Sequence, residues 1–331
     1  MPQLPHVLNH RRPTALAAAC LLSCAATLVT PPPARAAAAA PPALEYLLTV
    51  PQAGAARLFA NPLGIAVDPL RGRVFVADTA HNQVRVFTTA GVPLYSFKHR
   101  AKLYTGERAL GEPWRLLPND DGTLLVADRL CDRIDVVDIL GNTVDSIDVT
   151  SLAGGPDRAT PGAMDRDAAG NLYVLELTSG QVLVLDKAYR LRLRFGVEGS
   201  RTSRFRSVVD IAVARDGTTY ALDSADDAVV RVFDPAGRPV RGFGRHGYKD
   251  ANFHMPAAIS IDAVGRLWIA DAVSHEVKVY TTAGDYLCVF GGRGQGAGQF
   301  YFPSDLAVAA DRLYVLERAG ERFQEFRIVG P

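Results

Sequence analysis

Short apolar runs alternate with turn residues along almost the whole chain, and they return in a fixed order. A first run reads LGIAVD (63–68), WRLLPN (114–119), GAMDRD (162–167), VDIAVA (209–214), AAISID (257–262) and SDLAVA (304–309). A second closes on an acid: FVAD (75–78), LVAD (125–128), YVLE (173–176), YALD (220–223), WIAD (268–271) and YVLE (314–317). A third reads VRVF (84–87), IDVV (134–137), VLVL (182–185), VRVF (230–233), VKVY (277–280) and FQEF (323–326). The closing acids, Asp78, Asp128, Glu176, Asp223, Asp271 and Glu317, lie 46 to 50 residues apart. A period of that length holds four short strands with their turns, which predicts an all-β fold. No stretch carries a convincing amphipathic helical period, so a parallel βαβ design is excluded.

Four-stranded units repeated six times predict a six-bladed β-propeller with antiparallel blades. The blades fall at about 58–98, 111–149, 159–196, 206–244, 254–291 and 301–331. The last repeat ends after its third strand. LEYLLTV (44–50), which precedes the first repeat, is expected to add the missing outer strand. That addition closes the ring and removes its open edge. The aromatic series Phe75, Tyr173, Tyr220, Trp268 and Tyr314 holds one phase in five blades, with Leu125 in the second. It is read as core between blades.

The chain has 331 residues, 48% of them apolar, enough for an ordinary core without disulfides. The N-terminus stands apart. Arg11 and Arg12 precede an apolar stretch at 14–29, followed by PPPARA with a small-x-small site at Ala34–Ala36. This is the order of a secretory signal peptide, expected over residues 1–36, with 37–42 as a spacer and 43–331 as the propeller. The apolar stretch is short for a membrane span. Leu21-Leu22-Ser23-Cys24 offers an alternative, a lipoprotein anchored at Cys24. Removing residues 1–36 takes away three arginines and leaves 33 basic against 35 acidic residues. Such a balance provides no global field for nucleic acid or anionic lipid. Cys131 and Cys288 then remain, with no CxxC or haem motif.

FGGRGQGAGQFYFPSDLAV (290–308) followed by LYVLER resembles the NHL repeat, as do ANPLGIAVD…VFVADTAHNQVRVF, DIAVARDGTTYALD…VVRVFDPAG and MPAAISIDAVGRLWIAD…VKVY. The resemblance covers roughly residues 44–331 and implies the same six-bladed architecture. It places the glycines after Phe290 in the connection between blades 5 and 6, with Phe300 and Phe302 between blades. A phosphate cradle would need a helix to follow, and a strand follows instead. The resemblance also places the connections between blades on one face, at the mouth of the central channel. Function is sought on that face, because a fold hosts unrelated activities and loops carry them.

Several residue sets near the mouth are candidates. Arg115, Asp210 and Asp305 occupy matching positions on alternate blades and can converge around the axis. They form either an ion or small-ligand site or turn caps whose charge Arg115 balances. The six closing acids are read as structural acceptors for turn amides. Trp114 is either an exposed anchor for a partner or buried under the long connection 98–112. Lys98, His99, Arg100 and Lys102, then Arg201, Arg204 and Arg206, then Arg245, His246 and Lys249 make the mouth face locally basic. They are either a docking surface for a partner or a solvated rim. Some animal NHL domains bind RNA through such a face, but the charge balance predicts no nucleic acid here.

Enzymatic relatives set the alternative. The amidating lyases of this family ligate zinc with several histidines at the mouth. Here the matching positions are Leu63, Trp114, Gly162, Val209, Ala257 and Ser304. Lactonase-type propellers hold calcium with Glu, Asn and Asp, and this chain offers Asn119, Asp165, Asp210 and Asp305. No catalytic set is assigned and no cofactor is expected, with calcium in the channel as the one metal candidate and Asp210 and Asp305 as its ligands. The sequence is thus read as an exported monomeric scaffold that binds a protein or small ligand on its mouth face. The alternative is a metal-dependent hydrolase or lyase with its site at the channel mouth.

Overall fold

The computed structural model describes residues 41–51, 58–155, 157–196 and 205–330. The expected signal peptide, the spacer up to Ala40, Arg201 and Arg204 lie outside them. Six four-stranded antiparallel sheets account for nearly all of the rest. Blade 1 runs Gly64–Asp68, Arg73–Asp78, Gln83–Thr88 and Pro93–Lys98 from inside outward. The inner strands of the later blades are Pro113–Pro118, Pro161–Arg166, Val208–Val213, Pro256–Ile261 and Pro303–Ala309. Each inner strand touches the next, and the last touches the first, so the blades form a closed ring.

Closure follows the sequence reading. Ala43–Val50 pairs antiparallel with Arg322–Val329, from Ala43 opposite Val329 to Val50 opposite Phe323. The last blade is therefore built from both ends of the described chain.

The five aromatics of the second strands are buried, Trp268 and Tyr314 almost completely. Trp268 also spends its indole N–H on Asp262 Oδ2 at 3.0 Å. The core is divided among the seams. One cluster joins Leu125 and Ile134 of blade 2 to Val174 and Leu183 of blade 3. Another joins Trp268 and Val279 of blade 5 to Leu313 and Val315 of blade 6. A strand buried on both faces reads as a continuous apolar run, which is why VFVAD and LYVLE show little alternation.

A wedge recurs in the connections. Phe59, Phe205, Phe253 and Phe300 are buried three to five residues before the inner strands of blades 1, 4, 5 and 6. Phe300 lies flat against Gly291, where an added Cβ would stand 2.5 Å from the ring; Gly291 also has φ of +104°. Gly244 meets Phe253 and Gly196 meets Phe205 in the same way. The glycine of each Phe-Gly step is thus required twice, by a left-handed backbone and by the wedge. Gly291→Ala is expected to cost about 1–3 kcal/mol, seen as a thermal midpoint lower by several degrees; an unchanged midpoint would contradict the wedge. Phe302, expected beside Phe300 between blades, is only half-buried and stands edge-on to His275.

Blades 2 and 3 have no phenylalanine in the preceding connection, and blade 2 departs further. The wedge position is Gly111, and the glycine position before it is Lys98. The connection is also not a loop: Arg100–Lys102 and Arg108–Leu110 pair as an extra hairpin.

Candidate functional site

The inner strands carry the channel residues. Strand register shifts just after the first residue of five inner strands, for example between Pro303 and Asp305 and between Pro113 and Arg115. A bulge re-aims the next side chain. It brings Arg115, Asp210 and Asp305 to the channel wall, where all three are under a tenth exposed. Arg115 Nη1 is 3.3 Å from Asp305 Oδ2 and donates to the Leu63 carbonyl at 3.2 Å.

The carboxylates do more than cap their own turns. Asp305 Oδ2 accepts the Ile65 amide of blade 1 at 2.8 Å. Asp210 Oδ2 accepts the Ile259 amide of blade 5 at 2.7 Å. Asp165, deeper in the channel, accepts the Val213 amide of blade 4 at 2.7 Å. Each stitches its blade to the next. Turn capping alone, the simpler sequence reading, missed this reach across the seam, because one repeat does not show its neighbour's amide.

Burial pushes the Asp210 carboxyl up to about 7 against the pull of Arg115. Burial likewise raises Asp305, and raises Asp165 to about 6. Arg115 is held above its ordinary value: burial opposes its charge, but Asp305 and Asp210 outweigh it. The cavity between these groups is about 160 Å³, room for a few waters at about 30 Å³ each. These residues do not fit calcium, whose six to eight ligands are oxygens with free lone pairs. Both Asp210 oxygens and both Asp305 oxygens already accept amides, and a guanidinium stands among them. Among the described residues no group of three His, Cys, Asp or Glu has the arrangement to hold a metal ion.

The six closing acids are all buried. Five of them accept amides from the connection preceding their own blade: Asp78 from Ala60, Glu176 from Thr160, Asp223 from Arg206 and Ser207, Asp271 from His254 and Met255, and Glu317 from Tyr301. The structural reading therefore holds for these five. Asp223→Ala is expected to strand two amides and cost about 1–3 kcal/mol, measurable as a lower urea midpoint. No change in that midpoint would remove Asp223 from this role.

Asp128 is the exception. Its Oδ1 accepts Leu130 N–H, while Oδ2 faces His99 Nε2 at 3.5 Å. Asp135 Oδ2 stands 3.6 Å from the same nitrogen. None of the three atoms has a closer partner. The space at Gly111 is taken by Asp128 and Ala101, and His99 is buried beside Asp128. It belongs to the interior, not to the basic surface in which the sequence placed it. Burial holds it neutral, down to about 4, and raises Asp135 to about 6. The signal was available: Asp135 stands where four of the other five blades carry Arg85, Arg231, Lys278 and Gln324 and blade 3 carries Leu183.

The remaining mouth residues divide. Lys98 ends an outer strand and donates to the His81 carbonyl at 2.5 Å. Arg100 and Lys102 are exposed on the extra hairpin. Trp114 lies between its two expected fates: half-buried, its indole N–H donates to the Pro161 carbonyl of blade 3 at 3.2 Å. The Arg115 guanidinium sits 5.1 Å from its ring centroid. Beside it opens a mouth cavity of about 530 Å³, walled by Trp114, Leu177, Ser179, Phe205, Arg206 and Val209. Arg206 is exposed, and among the described residues its side chain bonds only to the Ala225 carbonyl, at 3.4 Å. The structure thus joins Trp114 to Arg115 and Arg206, and leaves Lys98, Arg100 and Lys102 outside this cavity.

Six four-stranded blades closed around a narrow charged channel define a six-bladed β-propeller. The NHL repeat family matches residues 59–87, the first unit, and five further copies of that unit complete an NHL-type six-bladed β-propeller. It is 37% identical over 79 residues to the RING finger protein nhl-1 of Caenorhabditis elegans, a match spanning 24% of this chain and 8% of that protein. Similar solved structures include a luciferin-regenerating enzyme (14% identity, TM-score 0.61, covering 87% of this chain and 95% of that one). A catalytically inactive virginiamycin B lyase from Staphylococcus aureus with quinupristin is similar at 11% identity and TM-score 0.57, covering 87% and 100%. Regucalcin from Agrobacterium tumefaciens, a calcium-binding protein, is similar at 17% identity and TM-score 0.58, covering 89% and 97%. At these identities the structures share the fold.

Proposed function

We propose that this propeller is an exported binding scaffold of the bacterial cell envelope, and that a partner protein docks on the mouth face. The mouth cavity carries the reading. It has apolar walls, hydroxyls and, among the described residues, an arginine in no ion pair at its rim and no lining carboxylate. A partner side chain seated against Trp114 with polar contacts around it has the anatomy of an interface anchor. The channel, by contrast, is occupied by its own salt bridge and seam bonds. Export rests on the order of charges and apolar residues over 1–36. No helix among the described residues is long and apolar enough to cross a membrane.

Trp114→Ala is expected to weaken partner binding by about 2 kcal/mol or more, roughly thirtyfold in Kd, with a circular dichroism melt still cooperative. Full retention of affinity would move the site elsewhere. Lys98→Ala/Arg100→Ala/Lys102→Ala is expected to slow association and reduce its salt dependence, since charges on a rim act through on-rate.

A second reading, a lyase- or lactonase-like enzyme, draws support from neighbours whose names are a virginiamycin B lyase and a gluconolactonase. Metal analysis of purified protein separates the two. A stoichiometric metal that depends on Asp210 and Asp305 would favour the enzyme.

A further inference from the structure

The end of the ring opposite the mouth holds a second cavity of about 890 Å³, lined by Asn119, Asp120, Arg166, Lys187, Tyr189 and Arg215, among others. Its residues come from the ends of inner strands and the turns of blades 2, 3 and 4. Arg166 is the unusual member. Its Nε is buried without a hydrogen-bond partner. Among the described residues only one other arginine Nε shares that condition, that of Arg115, and Arg115 has Asp305 as counterion. Arg166 makes no direct ion pair among the described residues, although Asp165 and Asp121 lie near enough to interact with its charge; one of its Nη groups donates to Asn119 Oδ1. Asn119 is itself fixed, donating to Thr123 Oγ1 at 2.7 Å and Tyr189 Oη at 3.3 Å. The guanidinium is thus braced by a neutral group.

Lys187 and Arg215, both exposed on the same cavity, are likewise in no ion pair among the described residues. Acids are present but mostly occupied. Asp121 Oδ1 accepts Thr123 N–H at 2.9 Å and Thr123 Oγ1 at 2.7 Å. Asp167 accepts the Asn171 amide at 2.9 Å and its Nδ2 at 2.6 Å. Their lone pairs serve their own turns. Asp120 is exposed to solvent. A buried guanidinium N–H without an acceptor is costly, and a bound anion satisfies it with short, charge-assisted bonds.

We propose that this cavity binds a small molecule carrying a multivalent oxyanion, with Arg166 as the fixed fork and Arg215 and Lys187 closing on it. Phosphate and polycarboxylate groups share that chemistry. The site lies apart from the mouth and is independent of partner docking there.

The test is isothermal titration of the full chain with pyrophosphate and, separately, with citrate, at low ionic strength where exposed cations are least screened. At least one anion is expected to bind with micromolar Kd. Binding of only one assigns the headgroup chemistry. Arg215→Ala is expected to weaken it about tenfold, the loss of one charge-assisted contact. Arg166→Met is expected to abolish it. Since Arg166 is partly buried, Lys187→Ala/Arg215→Ala, both exposed, serves as the variant that keeps the fold. Absence of heat from either anion up to millimolar concentration would overturn the proposal. So would equal affinity in wild type and the Lys187/Arg215 variant.

Discussion

Deleting Ala43–Val50 is expected to prevent cooperative folding of the whole ring, although it removes one outer strand of one blade. Two physical terms act together. The strand covers the edge of Arg322–Val329, whose main-chain groups would otherwise face solvent. It also supplies side chains to two seams. Leu44 packs on the cluster of Trp268, Phe300 and Phe326, between blades 5 and 6. Leu48 and Val50 pack on Phe59, Phe87 and Phe323, between blades 6 and 1. Burying each such side chain is worth about 1.5–3 kcal/mol, and the sum approaches the 5–15 kcal/mol total stability typical of a domain. The measurement is the thermal melt of a chain beginning at Pro51. The expected result is aggregation or loss of a cooperative transition. A cooperative melt within a few degrees of the full chain would show that blade 6 stands on three strands.

Replacing Arg115 by Met is expected to destabilise the ring by about 3–5 kcal/mol, the usual result of leaving one partner of a buried pair uncompensated. The size of the effect depends on pH, and its sign is fixed. Asp210, Asp305 and Asp165 have carboxyls held above the ordinary value of 3.8 in the fold. Their protonated forms are therefore favoured by the native state. The stability they contribute is full below about 4 and is lost as pH rises through the folded values, near 6 for Asp165 and 7 for Asp210. Without Arg115 the carboxylates repel with nothing between them. The Arg115→Met penalty should be small at pH 4.5 and greatest at pH 8. Urea unfolding at both pH values measures it. Equal penalties would mean that Arg115 acts through packing on Trp114 rather than through charge.

Most of the architecture was legible because each level of the sequence repeats. The acids from Asp78 to Glu317 fix the period, the aromatic series fixes the buried phase, and the missing fourth strand after FQEF points to LEYLLTV. Most strand bounds came within two residues of those found, and FQEF stopped three short of Val329. The departures cluster where one copy differs from the others. Gly111 in place of a phenylalanine gives no positive signal by itself, and the burial of His99 between Asp128 and Asp135 joins the connection before blade 2 to two strands of that blade. Aligned repeats show which residues match, but not which atoms meet across a seam. For the same reason the convergence of Arg115 with Asp305 was visible, while the bond from Asp305 to the Ile65 amide was not. The cavity beside Trp114 was half-visible. Trp114 and Arg115 stood out as unusual in an inner strand, but Leu177, Ser179 and Arg206 enter it from the next two blades.

Docking at the mouth can be observed in cells by placing a photo-crosslinking amino acid at single positions of the full-length chain. Ser179 and Arg206 line the mouth cavity, whereas Leu70 and Val264 are exposed in turns at the other end of the ring. Irradiation should yield a discrete protein adduct from positions 179 and 206, lost on Trp114→Ala, and none from 70 or 264. Adducts from 70 or 264 with none from 179 or 206 would place the binding face at the wrong end of the propeller.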